Sequence, residues 1–195
     1  MAAHKHQELL TAAIEREGRA QRALLDGDVD SAQSEFGQVA ELYRQSWEVA
    51  HAGAFGRLVG MLKAAVLAGG GAEQAAYARA ALVEADPESG TANYARAIAA
   101  LIAGDDPDAE ACARRMGTGA DAFGRTAAAI AALAERDRGR YATALEAIVR
   151  DFEQRSEHLT GVAIADTAVM LQALAGRRGM EAEIESAVLP VVPVS

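Results

Sequence analysis

Few side chains in this sequence are placed where they could do chemistry, and Asp166 is the first of them. It lies within EHLTGVAIADTAVMLQALA (157–175), a run that is apolar nearly all the way round when wound as a helix. A carboxylate in the middle of such a helix must be paired, hydrogen-bonded or turned towards a cavity. Pairing with an arginine or with free backbone N–H groups makes Asp166 structural. A pocket that holds it together with a histidine makes it an acid available to a small molecule, as sensor or enzyme. Of the four histidines, His4 and His6 flank Lys5 and can share a metal on an extended chain, although chain ends fray. His51 falls at a helix end, where the dipole favours a cation. His158 follows Glu157 with no histidine four residues on, so no helical zinc pair exists. The single cysteine, Cys112 in EACARRM, excludes an internal disulfide and reads as a small buried side chain. No GxSxG elbow or P-loop is present, and GGGAEQ (69–74) lacks the Lys-Ser/Thr that would engage phosphates. The expectation is a non-catalytic protein without metal or cofactor.

Tyr43 and Trp47 are spaced i, i+4, with Phe36 seven residues earlier, which makes a helical stripe. A stripe of this kind is ordinarily a buried face. The alternative is a contact patch for a second copy, since aromatic anchors carry much interface energy.

The elements that position these residues follow from composition. Half of the 195 residues are hydrophobic but only 5% are aromatic, so the core is built from Ala, Leu, Val and Ile, a mixture that favours helix. Pro87, Pro107, Pro190 and Pro193 all fall near element boundaries. A net charge of −9 opposes nucleic acid and anionic membranes. The densest basic cluster, AGRRG at 175–179, reads as a helix end answering its own dipole. No apolar run has the length of a membrane span, and MAAHKHQELL lacks a signal-peptide core, so the expected compartment is the cytoplasm.

A pattern recurs along the chain: a glycine, an alanine five places on, and an apolar helix on either side. Gly27/Ala32, Gly70/Ala75, Gly104/Ala109 and Gly139/Ala144 obey it, at an interval of about 34 residues after a longer first one. The glycine ends one helix and the acids behind it cap the next, as Asp28 and Asp30 do after Gly27 and Asp106 with Pro107 after Gly104. With its small residues near positions 8 and 20, the pattern resembles the tetratricopeptide (TPR-like) helical repeat. The resemblance covers roughly residues 13–155 and is divergent, lacking the family's early tryptophan.

The fold expected is all-α: a right-handed helical-hairpin solenoid of about ten antiparallel helices in a single domain, residues 1–195. Its hairpins cover about 5–50, 54–85, 89–116 and 120–154, with helices at 157–175 and 179–187 as a capping hairpin and an extended tail at 189–195. The resemblance implies a concave face lined by the first helix of each hairpin. Carried over, that face includes Gln21, Leu24, Arg57, Leu67, Thr91, Tyr94, Ile98, Leu101 and Leu133, together with Glu17, Gly60 and Thr126. The function it implies is binding of a protein or peptide by an adaptor or regulatory module. A self-associating dimer built on Tyr43 and Trp47, and a small-molecule sensor or enzyme built on Asp166, are the alternatives.

Overall fold

Five helices of this chain begin where a short acidic or hydroxyl side chain takes up a free backbone N–H group. The computed structural model describes residues 2–117 and 121–191. In it Asp28, Ser89, Asp105, Asp121 and Asp137 each stand just before a helix. Each accepts from the backbone N–H three residues on, at 3.2, 3.3, 3.3, 2.8 and 3.0 Å respectively. A cap of this kind satisfies one of the donors that the first turn leaves unpaired and is worth about 1 kcal/mol. At the sixth helix the cap is Asp105 rather than Asp106, which instead opens the helix ahead of Pro107.

Nine helices form among the described residues, with no strand: α1 (Ala2–Leu25), α2 (Val29–Glu48), α3 (Gly56–Leu67), α4 (Ala72–Ala81), α5 (Gly90–Ala103), α6 (Asp106–Met116), α7 (Ala122–Ala134), α8 (Arg138–Glu153) and α9 (Asp166–Gly176). The chain turns after α5 through Gly104, at φ 75°. After α7 the left-handed residue is Arg136, at φ 58°, and Gly139 is already inside α8. The fourth glycine of the recurring pattern therefore does not make the turn.

The expected helices over 157–175 and 179–187 are corrected. Residues 157–165 form an irregular strap that turns at Gly161, φ 70°, and helix begins only at Asp166. Residues 180–186 are not helical: Met180 and Ala182 are buried and Ile184 half-buried, while Glu181, Glu183 and Glu185 are exposed. That alternation has period two, which an extended segment satisfies and a helix does not. Gln172 holds the segment to α9 as another backbone would. Its Nε2 donates to the Ala182 carbonyl at 2.7 Å, and its Oε1 accepts from the Ala182 N–H at 3.1 Å. Ala165 N–H donates to the Val188 carbonyl at 2.7 Å, tying the strap to the chain end. The part of the expected tail from residue 192 onward lies outside the described residues.

α1 lies along α2 and α2 along α3; α5 then lies between α3 and α7, touching each, and α5 to α8 each pack on the next. α9 crosses back onto α3, α7 and α8. Alanine-rich faces let these helices approach closely, and one connected core of buried side chains extends from Ala13 to Leu189. A Cβ at Gly60 would stand 2.8 Å from the Tyr43 ring, so only glycine admits this crossing of α2 and α3. The AGRRG cluster ties three helix ends together. Arg177 donates to the Gly70 carbonyl at 2.9 Å, and Arg178 to the carbonyls of Leu101 at 2.6 Å and Leu174 at 3.2 Å. Among the described residues no helix is long and apolar enough to cross a membrane.

Candidate functional site

Because the strap and α9 return across the odd-numbered helices, they roof a space that eight helices alone would leave as an open face. The result is a cavity of about 290 Å³. Glu17 and Gln21 of α1, Lys63 of α3, Tyr94 of α5, and Asp166 and Thr167 of α9 line it. α7 and α8 contribute Phe123, Arg125, Ile148, Asp151 and Phe152, and the strap contributes His158, Leu159 and Thr160.

Charged groups stand among the little-exposed lining residues. Glu17 is 7% exposed, and the Lys63 side chain 13%. Lys63 Nζ forms a short ion pair with Asp166 Oδ2 and donates to Thr167 Oγ1 at 3.3 Å. Asp166 Oδ1 accepts from the Thr167 N–H at 2.7 Å, and its charge complements the positive end of the α9 dipole. Tyr43, on α2 behind the cavity, donates its hydroxyl hydrogen to Glu17 Oε2 at 2.8 Å. Two carboxylates and one ammonium thus share the floor.

Desolvation is the largest single influence on the proton affinities there, although charge pairing outweighs it at Lys63. Burial lifts the Glu17 carboxyl above its ordinary value, and Asp166 adds to the rise, against opposing pulls from Lys63 and the Tyr43 hydroxyl. Burial works against the Lys63 ammonium, but the charges around it, Asp166 foremost, outweigh that cost and raise its pKa. Burial also raises the Tyr94 hydroxyl.

Two buried polar atoms of lining residues lack a well-formed hydrogen bond: His158 Nδ1, and the Tyr94 hydroxyl, which has only the Thr167 hydroxyl beside it. Leaving such an atom dry and unpaired costs about 1–3 kcal/mol, so each is an attachment point for whatever enters. The hydroxyl of Thr167, beside Tyr94, is already within reach of Lys63 and Asp166. At the rim, Phe123 is 39% and Leu159 77% exposed. Arg125 and Arg155 share Asp151 from either side, on Oδ1 and Oδ2 respectively. The Arg155 guanidinium also stacks 3.8 Å from the Phe152 ring centroid.

The sequence-derived residues divide between this cavity and the core. Gln21 and Tyr94 line it, as do Glu17 and Thr126, and Asp166 and His158 both belong to its lining. Leu24, Leu67, Ile98, Leu101 and Leu133 are buried in the core, at 5% exposure or less. Thr91 is half-buried outside the lining. Arg57 is turned to the other end of α3, where it donates to Ser46 Oγ and to His6 Nδ1. Tyr43 is buried at 5% and held by Glu17, so its ring is not on a surface that a second copy could touch. Trp47 is half-buried and packs against Phe55, ring centroids 5.8 Å apart. Sequence reasoning passed over Lys63, yet a signal was there: it is one of only two lysines in the chain and interrupts the apolar run GRLVGMLKAAVL.

Among the described residues no group of three or more His, Cys, Asp or Glu side chains is arranged to hold a metal ion. No family model matches the chain, and neither the curated proteins nor the solved structures compared with it yield a match.

Proposed function

We propose that this is a ligand-binding domain: a stack of TPR-like helical hairpins whose concave side is closed by its own C-terminal segment, leaving a cavity for one small polar molecule. The side-by-side succession α3, α5, α7 supports the hairpin stack. One observation carries the binding role. Within one roofed cavity, Asp166 and Lys63 stand with a histidine and a tyrosine whose polar atoms are buried without a well-formed hydrogen bond: His158 Nδ1, and the Tyr94 hydroxyl with only Thr167 beside it. A polar cluster kept only for stability would satisfy those atoms internally. An extended peptide along the odd-numbered helices is the weaker fit, because it would meet α9 on α3 and α7. The role is binding rather than catalysis, since Asp166 is already engaged by Lys63 and by the Thr167 N–H.

The test is a chemically diverse fragment library screened by amide chemical-shift mapping on the isotopically labelled full chain. Fragments that bind are expected to shift the amides of Tyr94, Thr126, His158 and Thr167 together. Hits confined to other surfaces, or no hits at all, would overturn the reading.

A further inference from the structure

The cavity has two ends of opposite electrical character, and that polarity specifies its ligand more closely. At the floor, Glu17 and Asp166 face a single ammonium, Lys63, so a second cation would be attracted there. Glu17 has one oxygen, Oε2, occupied by the Tyr43 hydroxyl. At the rim, Arg155 donates from Nε and Nη2 to one oxygen of Asp151 and keeps further guanidinium hydrogens for an acceptor. Its side chain is 38% exposed, so an anion can reach it from the cavity mouth. Between the two ends the wall is apolar: Met116, Ile148, Phe152, Val162 and Ile164 are all buried lining residues. The volume, about 290 Å³, sits at the small end of the ~300–1,000 Å³ typical of ligand pockets.

We infer that the ligand is a small zwitterion with an apolar body, an α-amino acid or a dipeptide. Its ammonium lies against Glu17 and Asp166, and its carboxylate lies at the rim beside Arg155. The Tyr94 hydroxyl and His158 Nδ1 then gain partners on the ligand's polar backbone atoms, and its side chain packs against Phe152 and Ile148. This inference rests on the cavity being a binding site, as proposed above. It adds the chemical class and the direction of entry, ammonium first.

Isothermal titration of the full chain with the set of proteinogenic L-amino acids and with L-leucyl-L-leucine tests it. The two ligand arms separate a free amino acid from a dipeptide as the source of the zwitterion. The tightest binder is then compared with its analogue lacking the carboxylate and its analogue lacking the amine. Each loss is expected to weaken binding at least about tenfold, or about 1.4 kcal/mol. Glu17→Gln, which keeps an acceptor for Tyr43, and the rim variant Arg155→Ala are each expected to weaken the zwitterion by a similar factor. Glu17→Gln should leave the amine-free analogue unaffected, and Arg155→Ala should leave the carboxylate-free analogue unaffected. An amine-free analogue that binds as tightly as the zwitterion would overturn the inference. So would failure of every zwitterion while mapped fragments still occupy the cavity, an outcome that leaves the binding site standing and removes only this ligand class. Failure of fragments and zwitterions alike removes both.

Discussion

At the scale of single residues, the cavity floor is a contest between desolvation and pairing, and Glu17 records it. Its carboxyl is lifted above the ordinary 4.5 first by burial, with Asp166 adding to the rise and Lys63 and Tyr43 opposing it. A carboxyl whose folded pKa exceeds its unfolded one holds its proton more tightly in the folded state. Its contribution to stability is therefore complete below about pH 4.5 and is lost as the pH climbs through the raised folded value. Glu17→Gln cannot ionise and so does not suffer that loss. Its stability relative to the parent protein is expected to grow from about pH 4 to about pH 7, read as the difference between their urea midpoints. A difference that shrinks over that range would mean that Lys63 and Tyr43, not burial, govern the group. Lys63 is the counterpart: an ammonium this little exposed stays charged because carboxylates on α1 and α9 flank it.

At the scale of elements, the helix ends decide where segments meet. The turn after α3 and the last turns of α5 and α9 present carbonyls to Arg177 and Arg178, which supply additional donors there. Arg178 is the more buried anchor, its side chain only 7% exposed, and it also pairs with Asp106 at 2.9 Å. Arg178→Ala is expected to cost about 2–4 kcal/mol, because it removes a buried donor from the Leu101 and Leu174 carbonyls and the cation paired with Asp106. Arg114→Ala, at an exposed pair within α6, serves as the control and is expected to stay close to the parent in chemical denaturation. Equal, small effects of the two substitutions would show that the α9 anchor contributes little.

The eight leading helices were legible in the sequence because caps, turns and apolar stripes agree along that stretch. The misread part is the C-terminal segment, where two signals conflicted. EHLTGVAIAD is apolar enough for a buried helix, but Gly161 turns within it. MEAEIES carries a period of two that sits among short helical patterns and is easily taken for one of them. Of the site, Asp166 was visible as an acid in an apolar run, and Glu17, Gln21 and Tyr94 as repeat positions. Their convergence was not visible, since it depends on contacts such as Lys63 with Asp166 and Thr160 with Gln21. No local periodicity encodes pairings between residues so far apart in the chain.

At the scale of the whole molecule, the chain beyond α8 closes what precedes it. The strap donates a hydrogen bond from the Thr160 hydroxyl to Gln21 on α1, and its Thr160 carbonyl would lie 3.0 Å from a Cβ at Gly18. α9 covers faces of α3, α7 and α8, and its arginines hold the ends of α3 and α5. A chain cut off after Gln154 would retain α1–α8, but Lys63 would lose Asp166 and the buried faces beneath α9 would meet water. Apolar patches exposed on that scale bind hydrophobic dyes and favour association. The chain ending at Gln154 is therefore expected to keep most of its far-ultraviolet helical signal, to bind an anilinonaphthalene dye that the full chain ignores, and to unfold at lower urea. A synthetic peptide spanning residues 155–191, added in excess, should suppress the dye signal by reoccupying the face. If the shortened chain neither binds dye nor loses stability, α1–α8 satisfy their own faces. The C-terminal segment would then be an appendage rather than the closing wall of the cavity.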